Sequence, residues 1–316
     1  MVQIEQAQRA FSLGGGLRTP LLSAPGLAAQ LGLEALYLKP ECLQVTGSFK
    51  YRGAFTKVHQ VAPELAGRGV ITYSSGNHGQ AVAAAAARRG LAAAVVMPED
   101  AVAEKVAGAL AWGAEVRFAG HSSLERQAAA EALAAERGWA VIPPFDDPWV
   151  IAGQATIGLE LAEDLWTSDG VLVPVGGGGL AAGISLALSH LRPDCPVWGV
   201  EPEGADDARR SLAAGELVSL DHPTTVCDGL RTSRLGELPF SILSRHLGQV
   251  LTVPDHLCGQ AVERLLREAK LVVEPSGAVG LAALLAGAAP SFRRPTLILS
   301  GGNISGSYLA SLIAGK

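Results

Sequence analysis

The chain has 316 residues, of which 48% are hydrophobic and 17% are charged, and its 25 basic and 30 acidic side chains give a formal charge of −5. This composition indicates a folded protein with room for about two domains. The mildly acidic balance, without a long basic run, argues against a nucleic-acid partner, and the longest uncharged stretches, 170–189 and 296–314, contain too many polar or helix-breaking residues to span a membrane.

Short β-branched runs alternate with longer alanine- and leucine-rich segments of helical period along most of the chain. In order, the predicted strands are residues 69–73, 92–97, 115–118, 140–142, 171–175, 197–200, 250–253 and 296–299. This alternation predicts an α/β fold in which helices cover both faces of parallel sheets. Ligands of such sheets bind at the carboxyl ends of the strands.

The segment 143–148 holds three prolines and two aspartates and interrupts this pattern, which predicts a domain boundary. With a second crossing near residue 60, the sequence predicts a larger, discontinuous domain of residues 1–60 and 147–316. The smaller domain would then comprise residues 61–146.

The first motif with chemical potential is residues 46–53, Thr-Gly-Ser-Phe-Lys-Tyr-Arg-Gly, which leads into a predicted helix with Lys50 in its first turns. A cation is disfavoured at the positive end of a helix dipole. Lys50 is therefore either a solvated surface residue or an amine that its surroundings keep neutral, as a Schiff base with a carbonyl cofactor requires.

The second motif follows the strand 69–73 and opens a helix. It contains Ser74, Ser75, Gly76, Asn77, His78 and Gly79. Its hydroxyl groups, its amide and the helix N–H groups suit a substrate carboxylate. The alternative is an ordinary serine or asparagine helix cap.

The third motif is Gly176, Gly177, Gly178 and Gly179, between the strand 171–175 and a helix that starts at Leu180. Residues without Cβ let backbone N–H groups approach an anion at a helix N-terminus, so the motif indicates a phosphate site, although a tight packing turn is the alternative. Gly176-x-Gly178-x-x-Ala181, followed by Glu201, also satisfies the dinucleotide fingerprint. The motif alone leaves open a nicotinamide cofactor.

Together and in this order, the three motifs resemble those of the fold type II pyridoxal-phosphate enzymes, the tryptophan synthase β-like group. Within them the chain is most similar to the serine/threonine dehydratase (threonine ammonia-lyase) and serine racemase family, from Arg18 to Asn303. The resemblance implies a homodimer of two-domain chains, with open twisted sheets and pyridoxal 5′-phosphate in the interdomain cleft. The larger domain would bind the cofactor and the smaller would close over the substrate. The cofactor-binding residues that it implies are Phe49, Lys50, Asn77, Gly176, Gly177, Gly178, Gly179, Leu180, Gly229 and Ser300.

The resemblance also implies catalytic roles. Lys50 would be the Schiff-base lysine and the base at Cα, and the Ser75 hydroxyl would act from the opposite face of the ring. The residues that would frame the substrate carboxylate are Ser74, Ser75, Asn77 and His78. Ser300 would face the pyridine nitrogen, and because a hydroxyl does not hold that nitrogen protonated, β-elimination of water is favoured over transamination.

We therefore expect a pyridoxal-phosphate-dependent ammonia-lyase that converts L-threonine or L-serine to 2-oxobutanoate or pyruvate and ammonia. A serine racemase with side elimination activity and a 3-hydroxyaspartate dehydratase are the alternatives within the family, and an NAD-binding oxidoreductase is the alternative from another class. Val45, Tyr73 and Thr232 replace residues typical of animal serine racemases, which favours the dehydratase.

The acidic segment 201–207 follows the strand 197–200, and on its residues alone it is an ordinary solvated loop. In racemase-like members of the family the matching positions bind a divalent cation. The resemblance thus implies a site formed by Glu201, the Ala205 carbonyl and Asp207. Two carboxylates and a carbonyl suit Mg²⁺, or Ca²⁺ or Mn²⁺, rather than zinc.

The four cysteines, Cys42, Cys195, Cys227 and Cys258, lie far apart in the sequence and form no CxxC pair. The N-terminal residues lack the apolar core of a signal peptide. Both observations are typical of a reduced, cytoplasmic protein. The expected partner is a small amino-acid substrate, with no membrane involved.

Overall fold

The computed structural model describes residues 1–13, 16–65, 68–74, 76–120, 122–164, 167–289 and 292–314. The chain forms two compact units. The first comprises Met1–Leu17 and Lys50–Gln154, and the second comprises Arg18–Phe49 and Ala155–Lys316. None of the helices in the described ranges has the length and apolar character needed to cross a bilayer.

The strands are β1 (Leu22–Ser23), β2 (Tyr37–Pro40), β3 (Gly69–Tyr73), β4 (Ala92–Met97), β5 (Glu115–Phe118), β6 (Ala140–Val141), β7 (Gly170–Pro174), β8 (Val197–Pro202), β9 (Val250–Val253) and β10 (Pro295–Leu299). The α-helices are α1 (Val2–Leu13), α2 (Pro25–Gln30), α3 (Lys50–Leu65), α4 (Asn77–Arg88), α5 (Ala103–Leu110), α6 (Ser123–Arg137), α7 (Pro148–Asp164), α8 (Gly179–Leu191), α9 (Asp207–Ala214), α10 (Glu237–His246), α11 (Asp255–Arg264), α12 (Pro275–Leu285) and α13 (Gly306–Ile313). Short 3-10 helices cover Glu203–Ala205 and Asp228–Leu230, among others.

The first unit contains a parallel sheet in the order β5-β4-β3-β6. The chain runs from β3 outward to β4 and β5 and then returns to β6 on the other side of β3, so the direction of strand addition reverses between β3 and β6. In open α/β sheets, a crevice that binds ligands forms at such a reversal, outside the carboxyl ends of the strands. Lys50 and the Ser74 motif belong to this unit, whereas residues 46–49 belong to the second unit.

The alanine-rich helix α4 packs closely against the sheet of the first unit, and its first turn lies near the carboxyl ends of the strands. Its residues 81–86 are almost entirely buried, because the helix packs against both α3 and the sheet. A Cβ on Gly79 would come within 2.7 Å of the Val95 side chain on β4. Small side chains thus let the first turn of α4 lie close to the strand ends.

The second unit contains a sheet in the order β1-β2-β10-β7-β8-β9, in which only β1 runs antiparallel to its neighbour. Leu172, Leu297 and residues of α12 form part of its core. The chain runs from β7 to β8 and β9 and returns to β10 on the opposite side of β7. The carboxyl ends of β7 and β10 therefore lie side by side at a second reversal of strand order.

The predicted domain bounds need correction. Residues 1–17 and 50–60 were expected in the larger domain but belong to the first unit, because α1 packs on α3 and α3 packs on α4. The boundary predicted at residue 147 lies instead inside α7, after Gln154. The Gln154 side chain accepts a hydrogen bond of 3.2 Å from the Gly53 backbone N–H, which ties the start of α7 to α3.

Candidate active site

Lys50 is the first residue of α3, and its Nζ donates a hydrogen bond of 2.7 Å to the carbonyl of Pro144, just beyond β6. The side chain is only partly exposed, and desolvation lowers the pKa of Lys50 to about 8. Burial and the positive end of a helix both disfavour the ammonium form. Lys50 can therefore lose its proton near neutral pH, as a nucleophilic amine or a general base must.

The Ser74 motif lies at the same reversal of strand order. The Ser74 hydroxyl accepts a hydrogen bond of 3.1 Å from the Gly76 N–H, and Gly76, the N-cap residue of α4, has no side-chain capping hydrogen bond. Asn77 begins α4, whereas Ser75, the predicted second catalytic residue, lies outside the described residues.

His78 is buried, and its Nε2 donates a hydrogen bond of 3.0 Å to the carbonyl of Ile142, which also accepts one from Thr72. Burial and the positive charge of Lys50 lower the pKa of His78 to about 3. His78 is therefore neutral at physiological pH. It contributes a fixed N–H donor to the end of β6 and no charge to the site.

The glycine motif of the second unit connects β7 to α8. Gly178 has a φ of +89°, and a Cβ there would lie 2.8 Å from Leu235 and Pro239. The first turn of α8, including Leu180, is buried, and within the described ranges no side chain accepts its N–H groups. Since orphan N–H groups at a buried helix start need an acceptor, a phosphate fits this loop.

Ser300 follows β10 and is almost fully buried. Its carbonyl accepts a hydrogen bond of 3.0 Å from the Phe49 N–H, and Ser48 pairs with Gly301 in an isolated antiparallel bridge. Segment 47–49 is thereby held against the end of β10. The structure thus brings the backbones of Phe49 and Ser300 together.

Gly229 lies next to the glycine motif. A Cβ on Gly176 would come within 3.2 Å of the Gly229 carbonyl, and the Gly229 N–H donates to the Ser276 hydroxyl at 2.9 Å. Ser276, at the start of α12, lies in a run that belongs to the family resemblance, but the sequence analysis assigned it no role. It belongs to the Glu-Pro-Ser-Gly-Ala run, 274–278, whose small residues were a usable signal.

The acidic segment is buried except at Glu203 and Gly204, which are exposed. Glu201, Ala205 and Asp207 are all inaccessible to solvent. The two carboxylate oxygens of Glu201 accept hydrogen bonds of 3.0 and 2.9 Å from the Ala208 and Arg209 N–H groups. Glu201 therefore caps α9, which leaves it poorly placed to bind a ribose in a dinucleotide site.

Asp207 fits a cation site. Neither of its carboxylate oxygens has a hydrogen-bond partner in the parts of the chain that the structure describes, and burial raises its pKa to about 7. Burial and the charge of Asp207 also raise the pKa of Glu201 well above its usual value. A divalent cation would compensate both buried carboxylates.

Sequence reasoning also missed the carbonyl groups of Ile142 and Pro144. The prolines at 143–148 predicted only a boundary, yet the segment supplies the acceptor for Lys50. The sequence signal that could have identified segment 143–148 as part of the site was its position directly after the predicted strand 140–142. In a parallel sheet, that is where ligand-binding residues lie.

The fold and these residues define an α/β protein with a desolvated lysine in one unit and, in the other, a glycine loop that a phosphate would fit. The family model described as "Pyridoxal-phosphate dependent enzyme" matches residues 13–301. The chain belongs to this family and has the predicted fold type II architecture. Family membership selects pyridoxal phosphate over the nicotinamide cofactor that the glycine motif had left open.

Three similar proteins show to which group of enzymes within this family the chain is related. The L-threo-3-hydroxyaspartate ammonia-lyase of Saccharomyces cerevisiae is 41% identical over 300 residues, which cover 95% of this chain and 92% of that protein. The crystal structure of a threonine deaminase from T.th. has a TM-score of 0.89 at 45% identity, covering 96% of this chain and 98% of the other. Maize serine racemase has a TM-score of 0.93 at 35% identity, covering 99% and 96%. The chain is thus a pyridoxal-phosphate-dependent enzyme of the ammonia-lyase and racemase branch.

Proposed function

We propose that this enzyme acts on small 3-hydroxy-L-amino acids, with L-threonine and L-serine as substrates, and eliminates water and then ammonia to give 2-oxobutanoate or pyruvate. The observation that carries the proposal is Lys50, a desolvated amine with a pKa of about 8 at the carboxyl end of its sheet. Bound pyridoxal phosphate supplies the electron sink that acidifies the Cα proton of the amino acid.

In this proposal Lys50 holds the cofactor between turnovers and takes up the Cα proton during them. The hydrogen bond to Pro144 orients Nζ, and desolvation keeps the amine uncharged for a larger fraction of the time at neutral pH. A base with a pKa close to the working pH combines the correct protonation state with adequate basicity.

The substrate carboxylate would bind at the N-terminus of α4, where the N-cap residue is Gly76 and where Ser74 and Asn77 lie. Neutral His78 would keep this region free of a competing charge. We assign Ser75 as the hydroxyl that exchanges a proton on the opposite face, on its position in the sequence. Racemisation by Ser75 would compete with elimination.

In the second unit, we assign the cofactor phosphate to Gly176, Gly177, Gly178, Gly179 and Leu180 at the start of α8. Phe49 and Gly229 would flank the pyridine ring, and Asn77 would meet its 3-hydroxyl. Ser300 would face the ring nitrogen. Because a hydroxyl leaves that nitrogen largely unprotonated, loss of the Cα proton would be coupled to departure of the Cβ hydroxyl.

We further propose that Glu201, the Ala205 carbonyl and Asp207 hold Mg²⁺, or Ca²⁺ or Mn²⁺. The buried carboxylate of Asp207, which has no hydrogen-bond partner among the described residues, supports this, since oxygen ligands suit these ions. A homodimer and a cytoplasmic location remain predictions.

A second candidate substrate is 3-hydroxyaspartate, which has an additional carboxylate. The favouring observation is Lys105 on α5, whose Nζ lies 3.3 Å from the point that a Cβ on Gly76 would occupy. An ammonium group beside the Ser74 motif could pair with a second carboxylate. The relative from Saccharomyces cerevisiae is named for this substrate.

A substrate panel tests the proposal. The purified holoenzyme is assayed with L-serine, L-threonine and L-threo-3-hydroxyaspartate, with detection of both the 2-oxo acid and D-serine. We expect 2-oxo acid from serine and threonine at rates above D-serine formation. D-serine formation that outpaces pyruvate release would identify a racemase, and activity confined to 3-hydroxyaspartate would establish the second candidate.

A further inference from the structure

Three metal-ligating side chains that the proposed reaction does not use come together in the second unit. The Sγ atoms of Cys227 and Cys258 and a carboxylate oxygen of Asp255 all lie within 4.8 Å of one another. Cys227 directly precedes the 3-10 helix Asp228–Leu230, and Asp255 and Cys258 lie one turn apart at the start of α11. Both cysteines are free thiols without solvent exposure, whereas Asp255 is partly exposed.

Hydrogen bonds hold these ligands in position. The carboxylate of Asp255 accepts from the Thr225 hydroxyl at 2.6 Å and from the Val226 N–H at 2.9 Å. The Thr225 hydroxyl in turn accepts from the Cys227 N–H at 3.0 Å. Outer hydrogen bonds of this kind orient carboxylate ligands in metal sites. The loop 225–227 is thus already folded around the three ligand atoms.

The ligand set suits a thiophilic divalent cation. Such an ion deprotonates its thiol ligands when it binds, and its charge offsets that of Asp255. Zinc–sulfur bonds of about 2.3 Å place two tetrahedral sulfur ligands roughly 3.8 Å apart. A small contraction of the cluster would therefore suffice.

We propose that Cys227, Cys258 and Asp255 form a binding site for a thiophilic divalent cation of the zinc class. The site is distinct from the oxygen-ligand site at Glu201 and Asp207, because thiolates select zinc-like ions and carboxylates select Mg²⁺. An ion here links loop 225–227 to α11. Gly229, two residues after Cys227, contacts the glycine motif, so the ion would also steady one wall of the cofactor-binding loop.

Cadmium titration of the reduced holoenzyme tests the proposal directly, because Cd²⁺–thiolate bonds absorb in the ultraviolet. Mg²⁺ is kept in excess to saturate the oxygen-ligand site. We expect one Cd²⁺ per chain with thiolate absorption. C227S and C258S should each weaken Cd²⁺ binding by about 100-fold, and D255N by about 10-fold. C42S and C195S are matched controls that remove a cysteine elsewhere and should leave the titration unchanged.

Thermal unfolding gives a second readout that depends less on variant behaviour. Zn²⁺ should raise the Tm of the unaltered holoenzyme and of C195S, and it should leave the Tm of C227S unchanged. A titration of the unaltered protein without thiolate absorption would overturn the proposal. So would absorption that persists in C227S and C258S, or a Cys227–Cys258 disulfide whose reduction restores no Cd²⁺ binding.

Discussion

Replacing Gly178 by alanine tests whether the glycine loop is shaped for an anion. Gly178 has a φ of +89°, which costs a residue with a Cβ about 1–2 kcal/mol. The added Cβ would also meet Leu235 and Pro239 at 2.8 Å, and overpacking of that kind costs about 1–3 kcal/mol. G178A should therefore lower the free energy of unfolding by about 2–5 kcal/mol.

Gly215 provides the matched control. It follows the last turn of α9 and also has a positive φ, +74°, but nothing lies within 4 Å of the point that its Cβ would occupy. G215A should cost only the backbone term of about 1–2 kcal/mol and leave cofactor affinity unchanged. In G178A the shifted loop should also weaken pyridoxal-phosphate binding by at least about 10-fold, since a misplaced anion site loses charge-assisted hydrogen bonds worth about 1.5–3 kcal/mol.

Urea unfolding of the cofactor-free proteins gives the stability difference, and absorbance during cofactor titration gives the affinity. If G178A and G215A lose equal stability and both keep normal cofactor affinity, then the contacts around Gly178 do not shape an anion site. Loss of stability in G178A with unchanged cofactor affinity would mean that the loop is a packing turn only.

The remaining predictions concern Lys50, Asp207 and Lys105. K50R keeps a positive charge but not a titratable amine, and should lower the elimination rate by about 10²–10⁴-fold in a coupled 2-oxo acid assay; near-normal turnover would exclude Lys50 as the base. In chelator-treated protein the folded-state pKa of Asp207, about 7, lies above its ordinary value, so the folded state binds the extra proton and stability should fall as pH rises from 4 to 7, by at most about 4 kcal/mol. Urea unfolding should show this fall in the parent and a smaller fall in D207N, because burial also raises the pKa of Glu201; Mg²⁺ should reverse the fall at pH 8, and no effect of Mg²⁺ would contradict the cation site. K105M should lower kcat/KM for 3-hydroxyaspartate by about 10–100-fold and leave that for serine unchanged; an equal loss on both substrates would make Lys105 a structural residue.

The sequence predicts the parallel strands well, because most of them are short apolar runs that are buried in the sheets; the edge strands β5 and β9 are only partly buried. The ranges 69–73, 92–97, 115–118 and 250–253 match β3, β4, β5 and β9, and the other predicted strands differ by one or two residues at their ends. In contrast, β2 was missed because its Tyr-Leu-Lys-Pro sequence contains a charge and a proline. In the fold, Lys39 is buried against Glu160 at 2.6 Å, a pairing that only the tertiary structure supplies.

The candidate site also contains residues that a local sequence pattern predicts and residues that only the tertiary structure brings together. Lys50, the Ser74 motif and the glycine loop are local signals, since each follows or precedes a predicted element. The carbonyl of Pro144 and the cluster of Cys227, Asp255 and Cys258 depend on residues far apart in the chain that converge only in three dimensions. The domain bounds failed for this reason too, because packing of α3 on α4 decides to which unit α3 belongs.

Borohydride reduction of the yellow holoenzyme, followed by peptide mapping, measures the central claim most directly. The account predicts loss of the visible absorbance and a covalent cofactor label on the peptide that contains Lys50. A label on another lysine such as Lys39 or Lys105, or a purified protein that binds pyridoxal phosphate without any reducible linkage, would contradict it.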